Sequence, residues 1–471
     1  MRILLVTGKL AEKMVKENAP NAEVHVCDID VAAFITPKDI EELDFSNYDL
    51  VLVPGLTKDC DWESFERKKG VKVRLGPIHA ADLKRILPLA ENLEFSHKIP
   101  ACRLIEKIKA EEVFEEVEKL EKTAIFKIRD VPIGGNSRMK IVAEIARPRL
   151  EDLREKIDYF SANADIIDIG VPMEFESDEL SKIIKIAVDE SKKPISLDSF
   201  SKKAIEIAVK HGVDMIMSLS SSNTEILELI EDQAIVVAER DLERLFRLLD
   251  IARKKTDKVI ADPILDPPLN VARSLERYLN FRKLDQTTPL LFGAGNVTEL
   301  SDADSIGMNA LLAFMAEEIG CNLIFTTEAS EKTFGSVKEL KIASYLAKFA
   351  KIRNSPPKDV GISLLVVKEK IRHKAERVSN FIIAEESRSF QRDPLGDFII
   401  FIADGMIFCK HEKATIAGKK AKEIIDTVLR LNLVSRLDHA AYLGRELMKA
   451  EIALRLNKNY FQDGDLNFGI Y

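Results

Sequence analysis

Long apolar runs are missing from this chain, and so are cysteine pairs, metal-ligand spacings and an excess of one charge. No stretch approaches the roughly 20 apolar residues that a membrane helix needs. The first run, Ile3 to Val6, is too short for the apolar core of a signal peptide and is soon followed by Gly8 and Lys9. Cys27, Cys60, Cys102, Cys321 and Cys409 are scattered without CxxC spacing, and an odd number in a large chain points to reduced thiols in a cytosol. No His and Cys cluster suggests a metal, and none is expected. With 70 basic and 78 acidic side chains the net charge is −8, so no chain-wide field recruits nucleic acid. Glutamine occurs only at 233, 286, 391 and 462 while Lys and Glu abound, a bias shared with heat-adapted proteins. A soluble cytoplasmic protein handling small molecules is the expectation. Its 471 residues exceed one core and suggest two to four domains.

Within residues 121–353, eight short apolar runs are each separated by one helix-length segment. They are Ile141 to Ala146, Ala164 to Gly170, Pro194 to Phe200, Asp214 to Ser221, Ala234 to Glu239, Lys258 to Leu265, Thr288 to Asn296 and Leu323 to Glu328. That rhythm predicts a (β/α)8 barrel, so the fold class is α/β. Asp168, Asp198, Glu239, Asp262, Asn296 and Glu328 fall where a strand hands over to its loop, the face on which barrel enzymes build their sites.

Residues 1–120 alternate strand and helix patterns and predict a small doubly wound, Rossmann-like α/β domain. Its Val6-Thr7-Gly8-Lys9-Leu10 turn lacks both GxGxxG and the full phosphate-loop spacing, which favours an ordinary packing turn. A charged helix from Glu106 to Glu121 reads as a solvated connector. Asn354-Ser355-Pro356-Pro357-Lys358-Asp359 is the clearest linker, since consecutive prolines block a helix. Residues 360–471 then predict a C-terminal α+β or α/β domain with strands Ile362 to Val367, Phe381 to Ala384, Phe398 to Ala403 and Met406 to Lys410. Asp404-Gly405 between the last two has the signature of a hairpin turn.

Two carboxylates, Asp198 and Asp262, end the third and sixth barrel strands and face one cavity. An ionised carboxylate can accept from the adjacent N–H and NH₂ groups of a pterin, although strand-end carboxylates also cap helices, pair with lysines or bind metals. The fragments Ile166-Ile167-Asp168-Ile169-Gly170, Leu197-Asp198-Ser199, Asp262-Pro263 and Gly293-Ala294-Gly295-Asn296-Val297 follow the order found in pterin-binding barrels. Over about residues 140–350 the chain resembles the dihydropteroate synthase superfamily, and as a whole it resembles an archaeal dihydropteroate synthase-like family with extra domains at both ends. The resemblance implies that Asp198 and Asp262 hold the pyrimidine edge of a pterin, with Ser218 beside them. It also implies that Asn296 approaches the ring near N5 and that Asp168 supports the floor.

Departures from that pattern narrow the activity. Asn296-Val297-Thr298-Glu299 and Thr327-Glu328 stand where the synthases place a Lys and an Arg-x-His, and the loop Val171 to Glu176 is acidic. Met217 stands where both synthases and pterin-dependent methyltransferases generally have Asn, and Asn223 is expected to cap the following helix. Gly-x-x-Asn-Val resembles the methyltransferases. The segment Asp438 to Glu451 with Tyr460-Phe461-Gln462-Asp463 is similar to the corrinoid-carrying subunit of the tetrahydromethanopterin S-methyltransferase complex, which implies a corrinoid cofactor and His439 as a ligand. A solvated or capping His439 on a core helix is the competing reading.

Three functions remain open. The first is a transferase moving a methyl group between a reduced pterin, of tetrahydromethanopterin or tetrahydrofolate type, and a corrinoid or another acceptor. The second is condensation of a dihydropterin diphosphate with an arylamine, with Arg147 and Arg149 as substitute anion binders. The third is a pterin-binding carrier or sensor without catalysis. The expected partners are the pterin, a corrinoid protein and further copies of the chain.

Overall fold

The computed structural model describes residues 1–358, 360–370, 379, 381–385 and 391–469. Its contacts divide it into two units, Met1–His373 and Lys374–Tyr471.

The first unit opens with four parallel strands, β1 (Ile3–Thr7), β2 (Glu23–Val26), β3 (Leu50–Val53) and β4 (Lys72–Leu75), in the order β2-β1-β3-β4. Gly8 after β1 is needed for close packing: a Cβ there would lie 2.8 Å from the Ala32 nitrogen and the Ile29 carbonyl oxygen. Lys9 pairs with Asp28, so this turn is occupied by its own protein neighbours.

A short hairpin, β5 (Phe126–Ile128) and β6 (Val131–Ile133), precedes the barrel strands. These are β7 (Lys140–Ala146), β8 (Ile166–Gly170), β9 (Ile195–Asp198), β10 (Met215–Leu219), β11 (Ala234–Ala238), β12 (Val259–Asp262), β13 (Leu291–Gly293) and β14 (Leu323–Thr327). All eight expected runs form strands. They pair in parallel in the order β12-β11-β10-β9-β8-β7-β14-β13, and a bridge from Ala261 to Leu290 closes the ring. Alternation along the pleat divides their side chains. Ile141, Ala143, Ile167, Ile169, Leu197, Ile235 and Val237 face outward onto the helices. Amphipathic spacing brings the helices back, as in Leu242–Ala252, which buries Leu245, Leu248, Leu249 and Ala252 and is capped by the Asp241 side chain. Val142, Ile166, Met215, Met217, Ala234, Val236, Ile260, Leu291 and Leu323 face inward and pack on Ile128, Val131 and Ile133 of the hairpin. The hairpin therefore plugs one end of the barrel. Arg129 at its turn secures the plug by donating to Asp214 at 2.8 Å, just before β10.

Near the same end, Arg138 donates twice to Asp165, at 2.9 Å each, and lies 4.7 Å over the Tyr345 ring. Asp165 also accepts from Lys341 at 2.5 Å and from the Ile141 backbone at 2.9 Å. Burial alone would raise the Asp165 carboxyl, but Arg138 and Lys341 hold it far below the usual range.

Two sequence expectations change. The connector is the helix Ala101–Glu118, and it is not solvated all round: Val113 and Val117 are fully buried against Leu346 and Phe349 of the last barrel helix, Ser336–Ile352. After the prolines the chain returns to this contact, because Val360 is buried in the same cluster. No strand forms at Ile362 to Val367 or Phe381 to Ala384. Leu365, Val366, Val367, Phe381, Ile382 and Ile383 are each more than half exposed, so these runs have the apolarity of strands without a sheet to join.

The second unit is an antiparallel sheet of β15 (Ile399–Ala403), β16 (Met406–Lys410) and β17 (Thr415–Gly418) with helices Ala421–Arg430 and Leu437–Arg455. Asp404 and Gly405 form the expected turn with φ of 48° and 66°. Ile400, Ile407, Cys409, Ile424, Val428, Leu443 and Leu447 make its core.

Candidate functional site

The inward parity that fills the lower barrel with apolar side chains changes chemistry at the opposite end. Two residues beyond Val142, Ile166 and Ile260 come Glu144, Asp168 and Asp262, and Asp198 ends β9. Glu144 is the register partner of both Asp168 and Thr327, and Asp198 is that of Gly170. Four carboxyls thus rim one mouth at the C-terminal ends of parallel strands.

Each aspartate has one oxygen engaged by the protein. Asp168 is fully buried, and its Oδ1 accepts from the Ser196 hydroxyl while its Oδ2 has no partner. Asp198 Oδ1 accepts from the Ser218 hydroxyl at 2.8 Å. Asp262 Oδ1 accepts from the Ile264 backbone at 2.8 Å and from the buried Tyr278 hydroxyl at 2.9 Å, which also lies 2.8 Å from the Leu291 carbonyl. These bonds fix the carboxyl planes and leave the second oxygens to other partners.

Backbone strain concentrates beside them. Ser218 and Ile264 have φ of 67° and 66°, and a β-branched residue in that region is an outlier that its surroundings must hold. Arg277 does so for Ile264. It donates to the Pro263 carbonyl at 2.6 Å, to the Ile264 carbonyl and to Asp266 at 2.8 Å.

Among the described residues, no cation forms an ion pair with any of the four carboxyls. Burial pushes the Glu144 carboxyl up to about 7, helped by the charges of Asp198 and Glu299. Burial, then Asp198 and Glu144, hold Asp168 well above the usual range. Asp198 is raised by burial against the Ser218 hydrogen bond, and Asp262 is raised by burial to about 6 although Ile264 and Tyr278 oppose it.

The other expected residues are distributed around this rim. Asn296 lies in the short helical turn Gly295–Thr298 after β13, in the space left by Gly293, and its amide donates to the Leu265 carbonyl at 2.7 Å. Met217 is buried in the inward core. Asn223 stands at the N-cap position of the short helical turn Thr224–Glu228 as expected, but its side chain makes no cap bond and instead accepts from the Ser220 backbone at 2.8 Å and donates to the Ser218 carbonyl at 3.1 Å, bracing the strained loop. Glu239 accepts from Ser221 at 2.8 Å. Glu328 accepts from the Val337 backbone at 2.9 Å and from Tyr159 at 3.0 Å. Arg147 and Arg149 are exposed, and Arg149 donates to Asp152 at 2.8 Å. In the second unit, His439 lies 3.3 Å from Asp393 and edge-on to Phe398. Asp393 also receives the backbone N–H groups of Leu395, Ser435 and Arg436. Among the described residues, no three His, Cys, Asp or Glu side chains gather into a metal-binding group.

Glu144 escaped the sequence reading because it lies two residues inside its strand rather than at the end. The available signal was a lone acid in Ile141-Val142-Ala143-Glu144-Ile145-Ala146, on the parity of Val142. Gly170 belongs to the same arrangement: a Cβ there would come 2.1 Å from Glu144 Oε1. Gly170→Ala is expected to leave the barrel folded by circular dichroism while displacing the Glu144 carboxyl, and ligand affinity measured by calorimetry should fall about tenfold or more.

The closed parallel ring and its acidic mouth define a (β/α)8-barrel protein with a second, α+β unit. The chain belongs to the family of the uncharacterized protein MJ0107 of Methanocaldococcus jannaschii, to which it is 37% identical over 99% of both chains. Residues 392–463 match the family model described as PterinBD-DUF4346. A Ycf91-like protein of Nostoc sp. is 33% identical over 110 residues, covering 16% of this chain and 87% of that one. Among solved structures the chain is similar to a dihydropteroate synthase of Yersinia pestis, with 16% identity, TM-score 0.38 and coverage of 47% of this chain and 96% of that one. It is also similar to that of Thermus thermophilus, with 18% identity, TM-score 0.38 and coverage of 45% and 93%.

Proposed function

We propose that the barrel mouth binds a reduced pterin and that the chain is a pterin-dependent transferase of one-carbon metabolism, acting on a methyl group at the pterin. One observation carries this reading: Asp168, Asp198 and Asp262 turn hydrogen-bond acceptors into one mouth that has no paired cation among the described residues. A pterin presents adjacent N–H and NH₂ donors, which buried carboxylates satisfy by charge-assisted bonds. The order of the strand-end motifs supports the same ligand, and a family model with a pterin-binding description matches residues 392–463, in the second unit rather than at this mouth. Asn296, beside the loop that follows Asp262, is the group we assign to the reacting part of the ring.

Condensation of a pterin diphosphate fits less well. A departing diphosphate needs preorganised positive partners, and loss of one such donor typically costs about a hundredfold in rate. Glu328 is held as a helix cap and Arg149 is paired with Asp152. Asp393 engages only Nδ1 of His439, and among the described residues no group of three metal-ligating side chains surrounds it, so no corrinoid is assigned to this chain. The methyl acceptor is therefore sought among separate molecules.

Calorimetric titration with a tetrahydropterin, its N5-methyl form and a dihydropterin diphosphate tests the proposal. The first two are expected to bind and the third to bind at least about tenfold more weakly, with no pyrophosphate release when Mg²⁺ and an arylamine are supplied. Robust release unaffected by Asn296→Ala would instead favour the synthase reaction. Binding without turnover on any methyl acceptor would leave a carrier.

A further inference from the structure

Glu144, Asp168 and Asp198 stand on three consecutive strands, with Glu144 leaning over Gly170 towards the position of Asp198. The groups facing Glu144 are Asp168 on β8, Asp198 on β9, Thr327 on β14 and Glu299 beyond β13. None of these is basic. Asp168 Oδ2 is buried without any partner, so the cluster contains an acceptor that the protein itself does not satisfy. Buried carboxyls this close cannot all ionise in the absence of a cation.

We propose that Glu144, Asp168 and Asp198 act as one proton-holding unit that selects an uncharged or cationic, N–H-rich heterocycle and rejects anions, releasing its held proton as the ligand binds. This rests on the mouth being the ligand site proposed above and adds Glu144 as a specificity-determining residue. The balance is simple. The empty unit carries at least one proton on a carboxyl; ligand N–H groups hydrogen-bond to the ionised oxygens, and that proton leaves to solvent. An anionic group placed at the unit offers no such donors and is repelled by whatever charge remains. The raised Glu144 and Asp168 carboxyls agree with this direction. Because binding favours the ionised unit, affinity rises with pH through the neutral range and falls as pH drops below it, by at most about tenfold per pH unit for one proton.

Two measurements on the full chain test the idea. Without ligand, infrared difference spectra between wild type and Glu144→Gln at pH 7 should show a protonated carboxyl band that the variant lacks or shifts. Calorimetry with tetrahydropterin in two buffers of different ionisation enthalpy should show about one proton released per ligand, and Glu144→Gln, titrated at ligand concentrations high enough to offset its weaker binding, should release none. Asp198→Asn serves as a second infrared probe should Glu144→Gln fold poorly. A wild-type spectrum without any protonated carboxyl at pH 7 overturns the proposal, whatever binds. Pterin binding with no proton release, or release unchanged in Glu144→Gln, overturns it as well. A protonated carboxyl together with absent pterin binding supports the proton-holding unit and rejects the pterin reading.

Discussion

Asp262→Asn is expected to weaken tetrahydropterin binding at least tenfold without lowering the melting temperature. The asparagine keeps an oxygen for the Ile264 backbone and the Tyr278 hydroxyl, which together orient the side chain. Its second atom becomes an NH₂ where the pterin presents N–H donors, so an attractive charge-assisted contact turns into a clash of donors. Losing such a contact costs on the order of 2 kcal/mol or more, enough for the affinity change. Stability should move the other way. Burial raises the Asp262 carboxyl to about 6 in the folded chain, above an unfolded value near 3.9. Between those values the native state binds more protons than the unfolded state, so stability falls as pH rises through that window. A neutral isostere escapes this loss, and its melting temperature at pH 8 should equal or exceed that of the wild type. Calorimetric titration and a thermal melt read both effects. Unchanged affinity in a folded Asp262→Asn protein would remove Asp262 from the site.

At the other end of the barrel, Asp165→Ala is expected to destabilise the first unit strongly. It would strand Arg138, which is almost completely buried and makes its bidentate contact there, and it would also free Lys341 and the Ile141 backbone N–H. Breaking a buried pair by removing one partner costs about 3–5 kcal/mol. For a cooperative unit of this size that corresponds to a fall of roughly 5 °C in the melting temperature. Here the linkage sign is opposite to that of Asp262: the Asp165 carboxyl is depressed, so its contribution is present above the unfolded value and disappears on acidification. A thermal melt of Asp165→Ala within about 1 °C of wild type at pH 7 would show that the ion pair does not hold the barrel base.

The contrast between these two aspartates explains what the amino-acid order discloses. Barrel strands such as Ile166-Ile167-Asp168-Ile169-Gly170 are buried on both faces, so apolar runs punctuated by helix-length spacers disclose them one by one. Asp168, Asp198 and Asp262 were visible for the same reason, as acids interrupting or ending such runs. Glu144 was hidden because its role depends on which face of β7 turns inward, and that is decided by pairing with β8 and β14 rather than by position in the run. The exposed segments Leu365-Val366-Val367 and Phe381-Ile382-Ile383 fail in the reverse sense. Local composition favours a strand, yet a strand exists only where another backbone can complete its hydrogen bonds. Val113 and Val117 show a third limit: two apolar positions in a highly charged helix suffice to dock it once a complementary surface is present.

The hairpin under the barrel makes the interior a cup rather than a channel. Ile128, Val131 and Ile133 fill the space into which Val142, Ile166 and Leu323 point, so the carboxyls at the rim sit above an apolar floor. Among the described residues the hairpin fills that lower end, so ligand and protons would meet the carboxyls at the doorway on the C-terminal side of the strands. A molecule seated across that doorway would act as its own lid, and whatever is exchanged beneath it would have to leave before or during its arrival.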